Sequence, residues 1–204
     1  DSVMSLNFAN NNSLSAITTQ PSGLSSGDMT LLATQTASGS ATLSFTSGID
    51  DTYDSYVFKF YDIHPANDGV YLSFQGDVGT DTNYNQPITS TWFRGYHNEA
   101  GDSSGLDYRT PNDQAQGTAF QYLSDGQGNG NDEGFCGQLS IYNPSSSVFV
   151  KHFIFNGNTH ANTDYSINSF VAGYFNTTTA LTRFQFKFSG GNIDSGVIKL
   201  YGIS

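Results

Sequence analysis

The sequence predicts an all-β fold: a jelly-roll-like two-sheet β-sandwich preceded by an extended N-terminal arm. Three observations predict it. Large side chains recur at every second position, as in Phe184, Phe186 and Phe188 against Arg183, Gln185 and Lys187. Tyr56, Phe58 and Phe60 alternate in the same way with Val57, Lys59 and Tyr61. A period of two places each set on one face of a strand. The runs are short and punctuated by Gly, Asn, Ser and Asp, which favour turns. Finally, aromatic residues make up 14% of the chain and charged residues only 12%, whereas disordered chains combine high charge with few aromatics. A chain of 204 residues can bury roughly 70% of the surface its unfolded form exposes, enough for a core without disulfide staples.

Residues 1–29 form the expected arm and residues 30–204 the expected sandwich domain. The arm is rich in Ser, Asn and Thr, with apolar anchors at Met4, Leu6, Phe8, Leu14 and Ile17. These are too sparse for a core of their own; they suit either an unattached tail or a segment that packs on a neighbouring subunit. Strands are expected over 30–36 and 41–45, joined by a hairpin loop at Ser38, Gly39 and Ser40. Further strands are expected over 54–62, 70–74 and 88–96, with a break at His64-Pro65. Weaker ones fall at 106–109 and 119–123. Four segments complete the set: 135–142, 148–155, 165–175 and a closing hairpin over 181–203 that turns at Gly190, Gly191, Asn192 and Asp194. That makes about eleven or twelve strands, and many short strands with such turns indicate a sandwich or barrel. With so many, the two-sheet sandwich is favoured.

The formal charge is −11, from 18 acidic against 7 basic residues. Phosphate backbones and anionic membrane surfaces are bound through Lys and Arg, so neither nucleic acid nor membrane is an expected partner. No apolar run approaches the ~20 residues of a membrane helix. Cys136 is the single cysteine, so no intrachain disulfide forms, which favours assembly in a reducing cytoplasm.

Catalytic and metal signatures are sparse. No His-x-x-x-His or Cys-x-x-Cys spacing is present, against a dedicated zinc site. Cys136 follows Phe135 at the start of an apolar strand, where an unpaired thiol is expected to be a small buried hydrophobe rather than a nucleophile. The loop from Asp125 to Gly130 matches the first half of a calcium loop, but Gln127 stands at the third position and Cys136 at the twelfth, which excludes an EF-hand. An irregular calcium site drawing on Asp125, Asp132 and Glu133 is the candidate metal site; solvated turn carboxylates are the alternative. Trp92, Tyr96, His97, Asn98 and Glu99 mix aromatic and polar groups near a strand end, a pattern suited to sugars. The alternative there is a core Trp92 and a polar group that caps a loop.

Several segments resemble a group of bacteriophage virion proteins, especially those of marine phages infecting cyanobacteria and related hosts. They are residues 4–12 (Met-Ser-Leu-Asn-Phe-Ala-Asn-Asn-Asn), 48–60 (Gly-Ile-Asp-Asp-Thr-Tyr-Asp-Ser-Tyr-Val-Phe-Lys-Phe) and 190–203 (Gly-Gly-Asn-Ile-Asp-Ser-Gly-Val-Ile-Lys-Leu-Tyr-Gly-Ile). Residues 113–120 and 129–134 are similar in the same context. These are strand and turn motifs, and no functional residue transfers with them. The resemblance implies a non-enzymatic structural protein of the capsid, a fibre or the tail, assembled in host cytoplasm and resident in the virion. It implies other virion proteins as partners and a homo-oligomer, with a trimer favoured. The alternative is an adhesin that binds host surface polysaccharide through loops 76–87, 95–117 and 124–134.

Overall fold

The computed structural model describes residues 29–204, which fold as two antiparallel sheets without a helix. The expected arm, with Met4, Leu6, Phe8, Leu14 and Ile17, lies outside the described residues. The strands in chain order are β1 (Thr30–Ser40), β2 (Leu43–Phe45), β3 (Ser55–Pro65), β4 (Leu72–Val78), β5 (Ile88–Asn98), β6 (Ser104–Tyr108) and β7 (Ala115–Gly117). They continue as β8 (Gln121–Tyr122), β9 (Phe135–Tyr142), β10 (Lys151–Ala161), β11 (Tyr165–Phe175), β12 (Leu181–Phe188) and β13 (Ile193–Ile203). The two-sheet sandwich expected from the alternation is present, with unequal layers. The larger sheet runs β1-β13-β3-β9-β10-β11-β5-β6, with β7 also on β5; the smaller runs β2-β12-β4-β8.

Alternation explains which side chains enter the core. In β10, Phe153 and Phe155 are buried while Ile154 and Asn156 are exposed, strictly residue by residue. Phe58 and Phe60 of β3 meet Phe186 of β12 at ring-centroid distances of 5.0 and 5.3 Å, and Phe74 of β4 meets Phe153 at 5.1 Å. All three are edge-to-face, the arrangement that ring quadrupoles favour. Where β9 and β10 cross this layer, Gly137 lies opposite Gly157. A Cβ on Gly137 would stand 2.8 Å from Gly157 Cα, so both glycines leave space for the Phe155 ring.

Two expected hairpins are corrected. Strands β12 and β13 do not pair: β12 lies between β2 and β4, and β13 between β1 and β3. The Phe184/Phe186 face and the Ile198/Leu200 face therefore oppose each other across the core rather than sharing one sheet. Likewise β1 pairs with β13 while β2 pairs with β12, so the chain crosses between layers after Ser40. Strand β3 also continues through the expected break to Pro65.

The smaller sheet has its own cover. Gln75 and Asp77 on the outward side of β4 are fully buried. Gln75 Nε2 donates to the carbonyls of Gln86 (3.1 Å) and Ala119 (3.0 Å), and Asp77 accepts from Tyr84 N–H (2.7 Å) and Gln86 Nε2 (3.0 Å). The outer face of the larger sheet has no such covering among the described residues. Exposed Tyr61, Phe93, Tyr142 and Ile154 lie on it.

Candidate functional site

Ladder register builds an open cleft of about 520 Å³ at one end of the larger sheet. His160, Ser166 and His97 fall in one outward-facing row across β10, β11 and β5. Cys136 pairs with Asn158 one strand further on. At the end of β3 the ladder is irregular between Phe60 and Ile63, and Asp62 takes a left-handed backbone (φ 51°). Gly196 on β13 makes room for that irregularity, since its φ is 118° and a Cβ would stand 2.5 Å from Asp62 O. The bulge turns Asp62 and His64 towards the cleft, which is closed by Glu99 and by Asn131, Asp132 and Gly134 of the glycine-rich loop.

Each of the three imidazoles has one nitrogen engaged. His64 Nε2 and Asp62 Oδ1 are 3.1 Å apart. His97 Nδ1 donates to Asn98 O at 2.7 Å, and His160 Nδ1 to Asp132 O at 2.8 Å. A nitrogen that donates to a carbonyl must carry the proton, which leaves the other ring nitrogen free to accept in the neutral tautomer. His160 Nε2 faces Glu99 Oε1 at 3.6 Å and is shielded from water. No Lys or Arg lines the cleft, so carboxylates, carboxamides and imidazole lone pairs make it rich in acceptors. Cys136 Sγ accepts from Asp62 N–H at 3.3 Å. Its hydrogen-bonding partner is thus a backbone amide and not an imidazole.

The expected ligand-binding group is divided. His97, Asn98 and Glu99 line the cleft. Asn98 also holds its own turn, with Oδ1 accepting from Ser103 N–H at 2.9 Å. Tyr96 lies on an adjacent groove with Leu106 and Phe170. Trp92 is corrected as a binding platform: it is fully buried, with Nε1 donating to Tyr122 O at 3.1 Å. Cys136 is corrected too, being exposed rather than buried, because Phe135 takes the inward slot and the next residue must point out.

The three candidate calcium ligands do not converge. Asp125 is almost fully buried and engaged by Arg94 Nη1 and, at 3.3 Å, by Arg109 Nη2. Burial opposes the Arg94 charge, but the hydrogen bond to Asp107 and the charge of Asp125 outweigh it and raise the Arg94 pKa. Glu133 accepts from Gly130 N–H within its own loop, and the Asp132 carbonyl is held by His160. Among the described residues no group of three or more His, Cys, Asp or Glu side chains is placed to hold a metal ion.

Asp62, His64, Asn158 and His160 were not singled out by the sequence as site residues. Asp62 and His64 are neighbours in the chain, as are Asn158 and His160, but the two pairs carry no recognisable motif and only the register of β3, β9, β10, β11 and β5 brings them together. No protein-family model, curated protein or solved structure matches this chain.

Proposed function

We propose that the chain is a non-enzymatic virion structural protein that works by contact, attached to a capsid or tail through residues 1 to 29 and displaying its sandwich outward. The observation that carries this reading is the outer face of the nine-stranded sheet, which no described residue covers. It presents Tyr61, Phe93, Tyr142 and Ile154 to solvent, each more than 40% exposed, and solitary soluble domains rarely leave broad apolar patches bare. The resemblance to phage virion proteins and the anchor-bearing first 29 residues support it. Deletion of residues 1–28 abolishes incorporation into particles and leaves the melting temperature nearly unchanged. Normal decoration by the truncated chain refutes attachment through the arm.

The acceptor-rich cleft favours one second reading, a carbohydrate-binding adhesin, because hydroxyl groups donate to the carboxylates of Asp62 and Glu99 and to the free ring nitrogen of His97. On a glycan array of host polysaccharides this reading requires saturable binding that His97→Ala and His160→Ala both abolish. Absence of binding by the wild-type chain removes it.

A further inference from the structure

The uncovered sheet face is not uniform. A groove of about 510 Å³ runs over β9, β10, β11 and β5, lined chiefly by Tyr142, His152, Ile154, Ala172, Tyr174 and Thr91. Beside it stands a ridge. Phe93 of β5 and Phe170 of β11 stack at 4.9 Å with their planes 11° apart, and the ridge continues through Tyr108 (50% exposed) to Leu106 (79% exposed) on β6. No Asp, Glu, Lys or Arg lines the groove, in a chain whose formal charge is −11.

We propose that this face is an interface with a second copy of the same chain, related by a two-fold axis that lies in the plane of the face and crosses β11 obliquely between Phe170 and Ala172, since Phe93 and Ile154 belong to adjacent cross-strand rows. The inference rests on reading the chain as an assembling structural protein and names the surface through which copies meet. Two identical acidic molecules repel unless the surfaces that approach are neutral, and here the neutral surface is also the apolar one. Rotation about that axis exchanges the two sides of the patch, so the Phe93/Phe170 ridge of one copy faces the Ile154 groove of the other. A two-fold contact needs this self-complementarity.

The extent is that of a small, micromolar interface. Five strands about 4.8 Å apart and some six residues of strand length give on the order of 500 Å² in projection. Projecting rings enlarge that towards the ~800 Å² per partner of an ordinary stable interface.

Sedimentation of the full chain over about 1–100 µM, a range that spans micromolar affinities, tests the proposal. The wild type sediments as a dimer at the upper end. Ile154→Asp buries an unpaired carboxylate against the aromatic ridge of the other copy, twice per dimer, and weakens association at least ~100-fold, while its melting temperature stays near that of a wild-type monomer because Ile154 is 52% exposed. Phe93→Asp does the same. Leu31→Asp, on β1 at the opposite edge of the sheet, leaves the dimer intact. A wild type that remains monomeric throughout overturns the interface, as does association that survives Ile154→Asp but is lost when residues 1–28 are removed. The virion reading is judged separately by particle incorporation, so either can fail alone.

Discussion

Lys151 occupies an inward slot on β10 because Phe153 and Phe155, two and four residues on, fix the strand's parity. It is fully buried, and Nζ donates to Thr177 O at 3.1 Å. Burial lowers its pKa from the ordinary 10.5. A lysine whose folded-state pKa lies below its unfolded value costs stability wherever the unfolded chain binds the extra proton, and that cost fades as pH rises towards the unfolded value. Wild-type melting temperature, compared with that of Lys151→Met, therefore rises as pH climbs towards the unfolded lysine value of about 10.4. Lys151→Met is at least as stable at neutral pH, as expected when an apolar side chain replaces a buried charge. Parallel pH profiles for the two proteins contradict this. Asp125 is the converse case, since its removal leaves the Arg109 guanidinium without its carboxylate and Arg94 with Asp107 alone. Asp125→Ala costs about 3 kcal/mol in a denaturant titration, and calcium does not restore it. Trp92→Ala costs about 3–5 kcal/mol through loss of core volume; little loss of stability together with loss of a ligand would reverse that assignment.

At the scale of elements, legibility was uneven: β10, expected over 148–155, runs from Lys151 to Ala161, because residues 156–160 (Asn-Gly-Asn-Thr-His) carry no large apolar side chain to mark the strand. The bounds expected for β9 and β11 match those observed, because a two-residue period with one buried face specifies both location and parity. Partnering was not legible. Both sides of the turn at Gly190 and Gly191 have an apolar face, and a hairpin or a crossing between layers satisfies that pattern equally well. Only the complete set of strands decides that Phe186 faces Phe58 and Phe60 across the core. The cleft was hidden for the same reason. Asn98 and Glu99 follow His97 directly, but His160 joins them only through the β10-β11-β5 register, and Asp62 through a bulge with no local signature. Gly157 tests the packing at that level: Gly157→Ala pushes a methyl into the Phe155 ring and towards Gly137 Cα, 3.2 Å away. It destabilises the fold by about 1–3 kcal/mol in a chemical denaturation experiment. A neutral effect would mean that the sheet yields at this point.

For the whole molecule, the inequality of the two sheets is the feature with consequences. The smaller sheet roofs the inner aromatic face and is itself roofed by its loops, so among the described residues the larger sheet alone keeps an open outer face. On the reading proposed above, that face is placed against another protein of the particle. The most direct test of that claim is imaging of purified particles with an antibody against this chain, combined with mass-spectrometric counting of its copies. Regularly spaced labels and a fixed, stoichiometric copy number are the predicted result. Absence of the chain from purified particles, or turnover of host polysaccharide by the isolated protein, would contradict it.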